Sequence, residues 1–127
     1  MSTRVDIVNK TKATLPRVAF NAIKEAILGK DYDLTLIIAP DAEIKKLNKI
    51  YRDIDKPTDI LSFPVSTKEG DIYISVTEAK KEAKKFNRTY ENFLAFLFIH
   101  GCAHLKGHDH GSTMERLERE IRDKFKI

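Results

Sequence analysis

An almost wholly apolar segment and all four histidines of the chain meet in residues 91–110, which read Glu91-Asn-Phe-Leu-Ala-Phe-Leu-Phe-Ile-His100-Gly-Cys-Ala-His104-Leu-Lys-Gly-His108-Asp-His110. Apolar side chains on nearly every face predict a helix over Glu91–Leu105 that is buried in the centre of a domain. Such a helix must be covered by other layers of structure, so it sets the architecture of the whole chain.

The end of this helix carries a pair of histidines with metal-ligand spacing. His100 and His104 are four residues apart, so on a helix their β-carbons lie about 5–6 Å apart on one face and both rings can bind a single ion. Cys102 lies on nearly the opposite side of the helix and is expected to be a small buried hydrophobe.

A third ligand requires the chain to bend. A straight helix would carry His108 about 12 Å along the axis from His100, too far for zinc–nitrogen bonds of about 2.0–2.1 Å. Gly107 is expected to close the helix, because glycine adopts the left-handed conformation that turns a chain back. After such a bend His110 can return toward the first pair, and His108 is a weaker candidate for a place near the metal.

Three neutral histidines favour a single zinc ion, although nickel, copper or iron accept the same ligands. Three protein ligands leave one coordination position open, and this arrangement is typical of catalytic zinc. Zinc peptidases with this spacing carry Glu after the first histidine as the general base, and here that residue is Gly101. A hydrolase of peptides or small amides is therefore disfavoured but stays open as an alternative.

The other patterns predict one α+β domain over residues 1–127, with a four-stranded, mostly parallel sheet, one antiparallel strand and about five helices. The metal site is expected in a cleft beside the sheet edge. Strands are expected over 5–8, 34–39, 60–65 and 71–76, with the last two in a hairpin. The remaining helices are expected from near Pro16 to Leu28, after a cap at Asp41, and after capping boxes beginning at Ser75 and Ser112.

Composition fits a small cytoplasmic enzyme. The chain has 127 residues, a net charge of +4 and one cysteine, so an internal disulfide framework is excluded. No secretory signal or membrane span is evident. Lysines and arginines gather at residues 45–56 and 80–88; they could follow a phosphate backbone, or form ordinary solvated helix faces.

Three ordered blocks of the chain resemble the YbeY family of bacterial endoribonucleases and rRNA maturation factors. Residues 100–110 match its signature His-Gly-x-x-His-Leu-x-Gly-x-Asp-His. Residues 47–52 and 55–64 resemble its other characteristic stretch, and residues 70–72 resemble the opening of its next strand. The resemblance covers roughly residues 5 to 125, including the closing segment 114–121.

The resemblance implies a single zinc ion held by His100, His104 and His110, and a functional arginine at Arg52. It further implies a single-strand-specific endoribonuclease that acts in maturation of the 3′ end of 16S rRNA and in ribosome quality control. Its expected partners are single-stranded RNA and the ribosome or small-subunit assembly proteins. Binding to a membrane or to DNA is not expected. A non-catalytic RNA-binding module with a structural metal is the remaining alternative.

Polar residues around these blocks suit supporting roles. Arg52 opens a turn-rich stretch, and its guanidinium offers a planar fork of donors that matches phosphate oxygens. Asp59 and Asp109 are expected to accept hydrogen bonds from the second ring nitrogen of metal-binding histidines. Either carboxylate could instead close a turn.

Overall fold

Strands and helices alternate along the chain. The computed structural model describes residues 4–107 and 111–127. These residues form four strands and five helices in the order β1 (Val5–Asn9), α1 (Phe20–Leu28), β2 (Asp33–Ile38), α2 (Asp41–Arg52), β3 (Ile60–Ser66), β4 (Glu69–Ile74), α3 (Val76–Lys85), α4 (Tyr90–Leu105) and α5 (Ser112–Phe125). The α+β architecture predicted from the sequence is confirmed. None of the described helices is long and apolar enough to cross a membrane.

The four strands form one open, mixed sheet in the order β1-β2-β4-β3. β1, β2 and β4 run parallel, and β3 pairs antiparallel with β4, as predicted. The hairpin register closes at Ser66 and Glu69 after an irregularity beyond Pro64, so β4 begins earlier than expected. Pro64 is tolerated because β3 is the edge strand, where a missing backbone N–H breaks no ladder between two neighbours.

The sheet has helices on both faces. Leu34, Leu36 and Ile38 of β2 belong to the larger core, which includes α1, α3, α4 and α5. The intervening Ile37 belongs to a smaller core with Ile44 of α2. β2 is therefore buried on both faces, as parallel strands between helical layers usually are.

Helix α4 lies at the centre of the larger core. Its Phe93, Leu94, Phe98 and Ile99 are all almost fully buried, which explains the apolar character of the segment on every side. The helix begins where Thr89 accepts a hydrogen bond from the backbone N–H of Asn92 at 3.1 Å. Its last residue is Leu105, and Gly107 follows with a φ of 100°. The predicted glycine turn after α4 is confirmed.

Helix α1 begins at Phe20, so the predicted start near Pro16 is wrong. Ala19 has φ −78° and ψ 58°, and the N–H of Phe20 donates to the carbonyl of Val18 at 2.8 Å. These values describe an inverse γ-turn. The turn occupies the residues that the sequence pattern assigns to the first helical turn, and the end at Leu28 agrees with the prediction.

Two predicted caps are also displaced by one residue. Pro40, not Asp41, caps α2, because the Pro40 carbonyl already accepts from Ile44 N–H at 3.2 Å. Asp41 lies in the first turn and accepts a hydrogen bond from the Ser75 hydroxyl. For the same reason Gly111, not Ser112, caps α5: the Gly111 carbonyl accepts from the Glu115 N–H at 3.0 Å. The cap of α3 is confirmed, since Ser75 Oγ accepts from the Glu78 N–H at 3.1 Å.

Candidate metal and phosphate site

Arg52 is the last residue of α2, and the end of this helix is tightly defined. Asp53 follows with φ 56° and ψ 33°, a left-handed conformation that closes helices. The N–H of Ile54 donates back to the Asn48 carbonyl at 3.3 Å. The Asn48 side chain also donates to the carbonyl of Lys56 at 2.9 Å and is only 2% exposed. Asn48, which the sequence analysis did not single out, therefore holds the loop that follows Arg52.

A cavity of about 690 Å³ opens beside the edge strand β3. Its walls come from the end of α2, the loop before β3, β3 itself and the last two turns of α4. Four of the residues predicted for the site line it: Arg52, Asp59, His100 and His104. The cavity thus joins a guanidinium, a carboxyl group and two imidazoles that are up to 52 positions apart in the chain.

His100 and His104 present the same ring nitrogen to each other. Their Nε2 atoms are 3.1 Å apart, and the ring planes are almost perpendicular at 89° with centroids 4.6 Å apart. Two nitrogens at this distance need either a proton or a cation between them, because each carries a lone pair when unprotonated. The two Nε2 atoms are therefore placed to share either a proton or a cation.

Glu118 sets the orientation of His100. Its Oε1 lies 2.7 Å from Nδ1 of His100, and its Oε2 lies 3.6 Å from Nη1 of Arg122. Because an ionised carboxylate can only accept, this contact favours the tautomer of His100 with its proton on Nδ1 and the lone pair of Nε2 toward His104. A carboxylate behind a histidine ligand is the usual support of a metal site.

The sequence analysis missed Glu118, although a signal for it exists. Met114 and Ile121 mark the buried face of α5, and Glu118 lies on that face between them. A charged residue on an apolar stripe is seldom buried without a partner. Its 9% exposure therefore points to a polar contact across the helix interface.

The two imidazoles fit a zinc ion. Tetrahedral zinc with bonds of about 2.0–2.1 Å separates neighbouring ligand nitrogens by about 3.3–3.4 Å, close to the 3.1 Å between the two Nε2 atoms. Within residues 4–107 and 111–127, no group of three or more His, Cys, Asp or Glu side chains is suited to hold a metal. The predicted third ligand His110, together with His108 and Asp109, lies outside the described residues.

Asp59 lines both the main cavity and a smaller neighbouring cavity of about 350 Å³, which also includes His100. Burial raises the pKa of the Asp59 carboxyl above its ordinary value, and the negative charge of Glu82 raises it further. Its backbone carbonyl accepts from Ser75 N–H at 3.0 Å. Its predicted role beside a metal-binding histidine stays a prediction, since the carboxylate seen on His100 Nδ1 is that of Glu118.

Gly101 packs closely against the sheet, so an added β-carbon would require neighbouring side-chain ends to move. A β-carbon there would lie 2.9 Å from Ile72 Cδ1, 3.0 Å from Ile60 Cδ1 and 3.1 Å from Ser62 Oγ. Cys102, on the other side of the helix, is fully buried, and burial raises the pKa of its thiol. The sequence-based expectation of a small, buried cysteine is confirmed.

The basic residues divide into two groups. On α3, Lys81 lies 3.8 Å from Glu78 and Lys85 lies 3.1 Å from Glu82, so that run behaves as a solvated face of paired charges. On α2, Lys45, Lys46, Lys49 and Arg52 are exposed, and Lys49 pairs with Asp53 at 3.0 Å. Of these four residues, Arg52 lines the main cavity.

Known proteins resemble this chain along almost its whole length. The sequence model for endoribonuclease YbeY matches residues 2–126. Endoribonuclease YbeY from Aliarcobacter butzleri is 37% identical over 97% of this chain and 93% of its own length. The protein of that name from Sulfurovum sp. is 35% identical over 98% and 92%.

A solved structure shares the fold. The solution structure of a Thermotoga maritima protein superimposes with a TM-score of 0.68 and 27% identity, covering 96% of this chain and 91% of that one. The overall fold of the described residues is thus similar to one already determined by experiment. With the family match over nearly every residue, the conclusion is that this chain belongs to the endoribonuclease YbeY family.

Proposed function

We propose that this protein is a metal-dependent endoribonuclease that cleaves single-stranded RNA. Membership of the endoribonuclease family supports a role in RNA cleavage. The proposal of a bound metal is supported by the Nε2 atoms of His100 and His104, which lie 3.1 Å apart. Glu118 contacts the other ring nitrogen of His100. We infer that His100, His104 and His110 hold a single zinc ion, which when bound supplies a Lewis acid for the phosphodiester.

Arg52 is assigned to the scissile phosphate. Its guanidinium lines the same cavity as the two histidines and matches two phosphate oxygens with its planar fork of donors. Charge that develops on those oxygens during cleavage would be stabilised by the positive guanidinium. Asn48 keeps the turn after Arg52 in place, so the backbone that carries the Arg52 side chain has a defined position.

A variant of Arg52 tests this assignment. Arg52→Ala is expected to reduce the rate of cleavage of single-stranded RNA by about 100-fold or more, the scale for losing one transition-state donor. Arg52→Lys should recover part of the rate, because lysine restores the charge without the fork. Lys56→Ala, which removes an exposed cation from the same loop, is the matched control. Equal activity of Arg52→Ala and Lys56→Ala would refute the assignment.

The chemistry of the attacking group is read from the products. Attack by the ribose 2′-hydroxyl leaves a cyclic phosphate, whereas attack by water leaves a linear one. Single-stranded DNA of the same sequence serves as the substrate control, because the 2′-hydroxyl distinguishes the two nucleic acids. Cleavage of RNA without cleavage of DNA is the expected result.

The cellular substrate that we propose is the precursor of 16S rRNA at its 3′ end, with the ribosome or small-subunit assembly proteins as partners. The family signature at residues 100–110 supports this choice. A precursor that extends past the mature 3′ end should be cut by the purified protein in the presence of small subunits. Uniform cutting of any exposed strand, with no preference for that end, would refute the proposed cellular substrate. The proposal of a general single-strand endoribonuclease would be retained.

Peptide hydrolysis is the weaker candidate. Gly101 occupies the position of the general base that zinc peptidases carry after the first histidine, and glycine has no side chain that can move a proton. A non-catalytic RNA-binding protein is distinguished by turnover, because it would bind RNA without cleaving it. Removal of its zinc would reduce stability without a linked loss of RNA affinity.

A further inference from the structure

Tyr51 places an open aromatic face at the edge of the main cavity. Its side chain lines that cavity and is 65% exposed. Exposed aromatic rings beside a cationic groove are the usual elements with which proteins bind unpaired nucleic-acid strands. The position of Tyr51 is therefore suited to binding a ligand with a flat π face.

Two other rings support Tyr51 from behind. The centroid of the Phe63 ring is 5.0 Å from that of Tyr51, and Tyr73 packs edge-on against Phe63 at 5.7 Å. Phe63 and Tyr73 pack in turn against the smaller core under α2. One side of the Tyr51 ring is thus held by a row of packed aromatics while the rest faces solvent, so little freedom is lost when a ligand stacks on it.

The open ring stands next to the group assigned to the phosphate. Tyr51 and Arg52 are consecutive residues at the end of α2, so their side chains leave the helix about 100° apart. Both line the cavity that also contains His100 and His104. A nucleotide could therefore place its phosphate on Arg52 and a neighbouring base on Tyr51 at the same time.

We propose that Tyr51, supported by Phe63, is a stacking platform for one nucleobase of the RNA strand, next to the phosphate that Arg52 binds. The proposal rests on the proposed function and deepens it by assigning a base-binding subsite. A base can reach this ring only when it is not paired in a duplex, which favours single strands. Because every base has a π face, the platform confers little sequence preference.

Binding measurements test the platform without relying on turnover. Fluorescence anisotropy in EDTA compares a labelled single-stranded RNA with an oligonucleotide of the same length and backbone that lacks its bases. Tyr51→Ala is expected to weaken binding of the RNA by about five-fold or more, the lower end for one stacked base. Its affinity for the abasic strand should equal that of the wild type.

Two further variants make the test specific. Ile50→Ala removes a side chain of similar exposure, 61%, from the same helix outside the cavity lining, and should leave both affinities unchanged. The chain has no tryptophan, so Tyr51→Trp adds a single reporter. Its fluorescence should be quenched by the RNA but not by the abasic strand.

The platform is overturned if Tyr51→Ala binds RNA as tightly as the wild type, or loses equal affinity for both strands. Unquenched fluorescence of Tyr51→Trp at saturating RNA would overturn it independently. Cleavage by zinc-loaded wild type is measured in parallel. If the wild type cleaves RNA but Tyr51→Ala does not weaken RNA binding, the stacking platform alone is refuted. If the wild type cleaves no RNA with any divalent metal, the proposed function is refuted.

Discussion

Glu118 Oε1 lies 2.7 Å from Nδ1 of His100 and links α5 to the end of α4. This contact supports the ring orientation in which Nε2 of His100 faces Nε2 of His104. Because the two residues are 18 positions apart, the histidine pair depends on how α5 docks as well as on α4. The site is therefore coupled to the packing of the C-terminal helix.

Removing this carboxylate should weaken metal binding. Glu118→Ala is expected to lower zinc affinity about 10- to 100-fold, the usual cost of losing the group behind a histidine ligand. Glu118→Gln keeps an acceptor oxygen and should lose less. Competition with a zinc chelator measures both affinities, and Glu120→Ala, exposed on the same helix, is the control. Unchanged zinc affinity in Glu118→Ala would show that the contact only packs the two helices.

The identity of the third ligand is a separate prediction. His110→Ala is expected to lose bound zinc on dialysis, because two histidines alone hold the ion weakly compared with three. His108→Ala should retain it, since His108 is assigned no coordinating role. Elemental analysis of both dialysed proteins decides between them. Retention by His110→Ala with loss by His108→Ala would reverse the assignment.

Gly101 should resist even the smallest substitution. Alanine normally stabilises a helix interior relative to glycine by about 1 kcal/mol. Here its methyl group would press on Ile72, Ile60 and Ser62 at 2.9–3.1 Å, and overpacking of this kind costs about 1–3 kcal/mol. Gly101→Ala is therefore expected to lower the free energy of unfolding by up to about 2 kcal/mol.

Urea denaturation measures this loss, and a second substitution checks its cause. Ile72→Val removes the Cδ1 atom nearest to the added methyl group. The double variant Gly101→Ala, Ile72→Val should lose less stability than the sum of the two single changes. A Gly101→Ala protein as stable as the wild type would show that the neighbouring side chains yield freely.

Asp59 gives the metal-free protein a specific pH dependence. Its folded pKa is raised above the ordinary value of 3.8, first by burial and then by Glu82. Between the unfolded and folded pKa values the folded state binds more protons, so the free energy of unfolding falls as pH rises through that window and stays reduced at neutral pH. Asp59→Asn removes this titrating group. The free energy of unfolding of Asp59→Asn minus that of the wild type should therefore be larger at pH 7 than at pH 3.

Chemical denaturation at the two pH values, in the presence of a chelator, measures the difference. Asp55→Asn, in the same loop and exposed, should show no comparable change. A stability difference between wild type and Asp59→Asn that is independent of pH would contradict the argument from burial. A difference of opposite sign would indicate that the folded state favours the charged carboxylate.

Local patterns predicted most of the fold. The hairpin of β3 and β4 followed from two short strands around Lys68 and Glu69, and α4 followed from its apolar sequence. The start of α1 did not, because the inverse γ-turn at Ala19 has no strong sequence marker. Asp41 looked like a cap, but its carboxylate accepts a hydrogen bond from Ser75, the cap of α3, and no local pattern contains this contact.

The site was predictable where its residues were close in sequence. Spacing alone paired His100 with His104, because one helical turn brings them together. The functional role of Arg52 was predicted mainly from the family resemblance. The roles of Asn48, Tyr51 and Glu118 depend on contacts between α2, β3, α4 and α5, and such contacts appear only when the elements are packed.

Cleavage measured against bound zinc tests the central claim most directly. Metal-free protein, prepared by chelation and dialysis, is titrated with zinc, and cleavage of single-stranded RNA is recorded at each step. Activity should be absent at the start and rise in proportion to bound zinc until about one ion per chain, in keeping with a single three-histidine site. Full cleavage by the metal-free protein would contradict the account.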